Sequence, residues 1–232
     1  MLAACEAGEL FTLLEGGGAS ARDACDTLSA VYGAVREPWL TRSLLVYHAR
    51  TGSVRALDLL ARAPDLHARY LLDALHEQLR AERHHAHHAL AVLAPLVARR
   101  PPWLHLLTGS TAHQLTRDLV RAARTERDSL PLLHALLALA ALLPAAPALA
   151  APHWSKLAEA LLRPAMLDPQ PPPPTRAHLQ LAQLALFQAL YATYPCTLLE
   201  TLRAEHAAAR DHGRDLWERN LAPLLESVRL HP

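Results

Sequence analysis

Apolar residues recur along this chain at helical spacing. Within residues 65–80, Leu71, Leu72, Leu75 and Leu79 form a stripe at i, i+1, i+4 and i+8, while Arg69, Asp73, Glu77 and Arg80 fall elsewhere. The same spacing returns at Leu57 and Leu60, at Leu90, Leu93 and Val97, and at Leu198, Leu199 and Leu202. Breaks interrupt it at short intervals: Gly16 to Gly18, Glu37-Pro38, Thr51-Gly52, Ala63-Pro64, Pro101-Pro102, Pro144 to Pro152, Pro169 to Pro174, Tyr194-Pro195 and Gly213. Several breaks carry helix-start residues, such as Ser53 after Gly52 and Asp65 after Pro64.

The pattern predicts about eleven or twelve helices of roughly ten to eighteen residues joined by short turns. Spread over the chain, that is roughly 39 residues per helix pair, close to the HEAT and armadillo period and unlike a four-helix bundle. The expected fold is all-α: an irregular HEAT/armadillo-like α-solenoid occupying residues 1–232 as one domain. Stacked helix pairs in such a fold share a core and leave two long surfaces for partners. The stretch 168–175 is expected to be an exposed, stiff, proline-rich loop.

Composition supports the helical reading. The chain holds 50 Leu and 45 Ala against 8 Val and no Ile, and helix formers in that excess argue against a sizeable sheet. The net charge of +1 creates no global attraction to nucleic acid or membrane. Cys5, Cys25 and Cys196 are odd in number and unrelated in spacing, so neither a disulfide framework nor a zinc knuckle is expected, and a reducing compartment fits. The opening Met1 to Glu6 has no basic region and does not read as a signal peptide. Residues 129–155 lack fixed charge, yet prolines at 144, 147 and 152 leave a clean helix only from Leu130 to Leu143. That is about 21 Å, too short to span a bilayer, so a buried core helix is expected there.

Chemistry is sparse. His84 and His88 share a helical face in His84-His85-Ala86-His87-His88, but zinc needs a third ligand. Glu82, two residues before His84, would point away on a helix, so no metal or cofactor is expected. Gly16-Gly17-Gly18 reads as a helix stop, not a phosphate loop, and Thr108-Gly109-Ser110-Thr111 as a turn with an N-cap. Cys25 beside Asp26 has no companion histidine and reads as a small buried thiol. No enzyme is expected. Arg117, Arg121 and Arg124 lie along one helix side at i, i+4 and i+7, with Arg127 at its end, and such a strip suits anionic lipid head groups. Nucleic acid is not an expected partner, since aromatics are few and charge is balanced.

Three C-terminal segments are more specific: Leu190-Tyr191-Ala192-Thr193-Tyr194-Pro195-Cys196, Leu202-Arg203-Ala204-Glu205-His206, and Pro223 through Val228-Arg229-Leu230-His231-Pro232. Upstream stand Gly8-Glu9-Leu10-Phe11, Ala21-Arg22-Asp23, Arg100-Pro101-Pro102-Trp103 and Leu143-Pro144-Ala145-Ala146-Pro147. In order and over nearly the whole chain, these resemble the N-terminal domain of the hamartin family, the scaffold subunit of the tuberous sclerosis complex. The resemblance implies a HEAT-like domain without catalysis, and a complex in which a tuberin-like GTPase-activating subunit turns off Rheb and restrains mTOR-complex signalling. Family members hold that subunit through a later coiled coil, so the contact is expected through a C-terminal region beyond Pro232. The resemblance also implies phosphoinositide-dependent recruitment, hence a cytoplasmic protein peripheral on lysosomal membranes, with Arg121, Arg124, Lys156 and Arg203 as lipid-binding residues. A homo-oligomer is a further partner arrangement left open. The alternative reading is a generic helical-repeat adaptor that binds protein segments and no lipid.

Overall fold

The computed structural model describes residues 4–167, 169–208 and 220–227. Eleven α-helices are defined: α1 (Ala4–Leu14), α2 (Gly18–Ala34), α3 (Trp39–Thr51), α4 (Val54–Ala61), α5 (Asp65–Arg80), α6 (Arg83–Ala98), α7 (Ser110–Thr125), α8 (Ser129–Ala145), α9 (Trp154–Leu162), α10 (Pro173–Thr193) and α11 (Pro195–Ala208). Residues 220–226 are helical as well, and short 3-10 turns fill several connections. Among the described residues there is no strand. Gly213 and Val228 to Pro232 lie outside the described residues.

Local chemistry sets the boundaries. The Ser53 hydroxyl caps α4 by accepting the Ala56 N–H, and Gly52 adopts φ +70° to end α3, a left-handed turn that suits a residue without Cβ. The carbonyls of Leu14 and Gly16 at the end of α1 both accept from the Arg55 guanidinium on α4. Arg100 is left-handed at φ 49° where the chain turns into Pro101-Pro102, and Trp103 anchors that turn. Its ring is buried, and its indole N–H donates to the Leu60 carbonyl.

Several expectations shift in detail. α7 begins after Gly109, whose missing side chain caps nothing, and Ser110 is already helical. The proline run divides: Pro173 and Pro174 open α10, where a proline lacks no intrahelical bond, and Pro171 is buried. Asp168 lies outside the described residues. α10 spans 21 residues while α4 has eight, so helix lengths vary more than the break pattern implies.

The helices stack in two layers. α3, α5, α7, α9 and α11 succeed one another in one layer, and α2, α4, α6, α8 and α10 in the other, with α3–α4, α5–α6 and α7–α8 pairing across. This alternation is the two-helix repeat of a solenoid. α8 supplies its centre, packing on α6, α7 and α10. Leu132, Leu136, Leu139, Leu142 and Leu143 on it are essentially inaccessible, each contributing about 1.5–3 kcal/mol of burial. Its apolarity is therefore that of a core helix, and no described helix is long and apolar enough to cross a membrane.

Candidate functional site

The basic side of α7 runs through His113, Arg117, Arg121 and Arg124, because a spacing of three or four residues, about one turn, brings each to the same face. Three neighbours tie it into the fold. Asp118, on the next position round the helix from Arg117, faces inward, and its side chain is only 3% exposed. The His76 imidazole of α5 meets that carboxylate at 3.1 Å, and the Arg121 guanidinium lies 3.3 Å from it. Arg124 pairs with Glu159 of α9, its Nε donating at 2.6 Å. Beyond the helix end, Arg163 holds the Glu126 carbonyl with Nε and Nη2, at 2.9 and 2.7 Å.

Arg121 and Arg124 are thus already engaged inside the fold. Lys156 on α9 and Arg203 on α11 are exposed and have no ion-pair partner among the described residues. The four residues occupy three successive helices of one layer, α7, α9 and α11. Arg203 lies furthest along that layer, on α11, which packs on α9. Lys156 instead lies near the first half of the α7 strip. Burial lowers the His153 pKa, and the nearby charges of Lys156, His113 and Arg117 lower it further. His153 Nδ1 is buried without a hydrogen-bond partner. His113, Arg117 and His153 belong to the same basic region, and only the periodicity that singled out Arg117 could have signalled them.

The histidine-rich start of α6 differs from the sequence reading. His87 Nε2 meets His134 Nδ1 of α8 at 3.0 Å, with the rings stacked, a contact the spacing does not signal. Burial, then the His87 charge, lowers the His134 pKa, and burial followed by its three neighbouring histidines lowers that of His88. Glu82 does not point away from His84. It precedes the first helical residue, so the angular rule does not govern it, and its carboxylate lies 3.8 Å from His84 Nδ1.

Cys25, half-buried in α2, and exposed Cys196 are free thiols. A separate cavity of about 600 Å³ opens between α1 and α3, lined by Phe11, Arg42, Val46, Tyr47 and Arg50. The Tyr47 pKa is raised there, first by burial and then by the charge of Glu15.

Two stacked layers of helix pairs with a basic strip on one layer define an all-α helical-repeat domain. The family model of the hamartin N-terminal domain matches residues 7–232, and the chain belongs to that family. It is similar to rat hamartin, 26% identical over 236 residues covering 97% of this chain and 19% of the relative. Human hamartin is likewise 26% identical, over 233 residues with the same coverage. The chain therefore spans about a fifth of the length of these curated relatives. A solved TSC1 N-terminal domain superposes with a TM-score of 0.73 at 20% identity, covering 99% of this chain and 68% of that one. A second structure, of the TSC1 N-terminal and linker domains, gives 0.74 at 21% identity, covering 97% and 61%. These likenesses show the fold.

Proposed function

We propose that residues 1–232 act as one solenoid unit, a non-catalytic scaffold and membrane-targeting domain of a hamartin-like protein. In this reading the protein belongs to a tuberous sclerosis complex that restrains Rheb and mTOR-complex signalling. A tuberin-like GTPase-activating subunit binds through a region C-terminal to this chain. The domain is cytoplasmic and docks on phosphoinositide-bearing lysosomal membranes through Arg121, Arg124, Lys156 and Arg203. Family membership supports the scaffold role. The observation that carries the lipid contact is the placement of those four residues on three successive helices of one layer.

A basic residue near an anionic membrane is worth about 1 kcal/mol, so four acting together reach several kcal/mol despite a net charge near zero. Lys156 and Arg203 are the informative positions, because changing Arg121 or Arg124 also breaks an internal ion pair. Co-sedimentation with phosphoinositide vesicles should be salt-sensitive and should fall in a Lys156→Glu/Arg203→Glu variant that keeps its helical spectrum. Equal pelleting with neutral vesicles rejects the lipid reading.

The second reading, a protein-binding adaptor without lipid contact, draws on the cavity between α1 and α3, where Val46 is half exposed beside Phe11 and Tyr47. It predicts no vesicle pelleting and loss of a peptide partner on Val46→Glu.

A further inference from the structure

The start of α6 gathers a carboxylate and two imidazoles. Ligand atoms of Glu82, His84 and His85 all lie within 4.8 Å of one another, and all three residues are exposed. We propose that these three side chains form a surface site for a divalent transition-metal ion, with water completing its coordination.

Glu82 occupies the N-cap position of α6, where its longer side chain is not one of the usual capping groups. It makes no capping bond, and its carboxylate turns toward His84 Nδ1 at 3.8 Å. His85 completes the set, its ring centroid 3.8 Å from that of His84. Adjacent helical residues diverge by about 100°, which ordinarily separates two rings. At the first turn no preceding helical side chains crowd them, and the two rings stay together.

Tetrahedral zinc with ligands at about 2.0–2.1 Å sets its donor atoms roughly 3.3 Å apart. All three side chains are solvent-exposed, so closing from the present spacing to that one asks for rotation of surface side chains. Two imidazole nitrogens and one carboxylate oxygen suit zinc, nickel or copper, and do not suit calcium or magnesium, which require oxygen donors. The positive end of the α6 dipole opposes a cation, and the Glu82 charge offsets it. Arg83, the intervening cation, reaches Asp128 at the start of α8 at 3.5 Å, which draws its charge toward an acid outside the triad. The His87–His134 pair remains a separate feature: one nitrogen of each ring meets the other, and among the described residues no third ligand joins them.

The test is calorimetric titration of ZnCl2 into the full chain, prepared without a histidine tag. About one Zn²⁺ per chain is expected. His84→Ala and His85→Ala should each weaken binding by roughly tenfold or more, a change that corresponds to losing one good ligand. Glu82→Gln should weaken it less, and His87→Ala and His134→Ala should leave it unchanged. Co²⁺ substitution, read by visible absorption, should give a d–d band that His84→Ala abolishes. All three ligand positions are exposed, so circular dichroism of these variants should match the parent. Absence of zinc binding overturns the proposal. So does binding that survives the His84→Ala/His85→Ala double variant, or binding lost equally on replacing His87 or His134.

Discussion

The Thr41 hydroxyl of α3 and the His67 imidazole of α5 are joined at 2.9 Å in the interior, and the bond fixes the direction of a whole chain of donors. His67 Nε2 lies 2.7 Å from the Val35 carbonyl, which only accepts, so Nε2 carries a proton, and in the neutral ring Nδ1 accepts from Thr41. Thr41 in turn accepts from the Tyr32 hydroxyl at 3.1 Å. Burial raises the Tyr32 pKa to about 12, with the Thr41 bond opposing it, so the phenol stays protonated as the first donor. One determined relay therefore ties α2, α3, the loop after α2 and α5 together.

Thr41→Val keeps the shape and removes the hydroxyl that serves both neighbours. It leaves the buried Nδ1 of His67 without a donor and the Tyr32 hydroxyl without an acceptor. The expected loss is about 1–3 kcal/mol, seen as a lower urea midpoint with unchanged slope. An unchanged midpoint would show that water replaces Thr41 in the relay.

Acid should weaken the fold above its carboxylate range. The folded-state pKa values of His88, His134 and His153 are all lowered from 6.5, burial being the first cause in each. Below about pH 6.5 the unfolded chain takes up protons that the folded chain refuses, so stability falls with pH. It is fully present above that value. Thermal midpoints should therefore drop between pH 7.5 and 5.5, and His134→Gln should flatten the drop. A pH-independent midpoint across that window would contradict the burial of His134 against His87.

Trp103 anchors the turn between the α5–α6 and α7–α8 pairs, with 1% of its surface exposed. Trp103→Ala removes the largest fully buried side chain among the described residues and the bond to Leu60, and should cost about 3–5 kcal/mol. Trp103→Phe should recover most of that loss, because the 3.4 Å indole bond is long. A fold insensitive to Trp103→Ala would mean that the two pairs stack without the anchor.

The elements whose two faces differ are legible in the sequence. Leu71, Leu72, Leu75 and Leu79 are buried and Arg69, Asp73, Glu77 and Arg80 exposed, as one helical stripe requires. α8 was legible for the opposite reason, since an uncharged run too short for a bilayer has to sit inside the stack. The basic strip was legible only as a strip. That Asp118 turns inward while its neighbour Arg117 stays out depends on the exact phase of α7, and that Glu159 meets Arg124 depends on how α9 lies across it. The His87–His134 contact joins residues 47 positions apart, a distance no periodicity records. Glu82 was misread because the angular rule was applied to a residue outside the helix.

Asp118 offers a test in which stability and membrane affinity should move in opposite directions. Its carboxylate is buried, and it offsets Arg121 while it holds His76. Asp118→Asn keeps the volume and removes the charge. His76 then faces a neutral amide and the interhelical bond weakens, so stability should fall by about 1–3 kcal/mol. Arg121, relieved of its partner, extends from a strip whose charge has risen by one. If that strip meets anionic head groups, vesicle binding should strengthen by up to about fivefold, since one further effective charge is worth about 1 kcal/mol. A protein merely damaged by the substitution would lose binding as it loses structure. A variant that is less stable yet pellets no better with phosphoinositide vesicles would show that Arg121 does not reach the membrane.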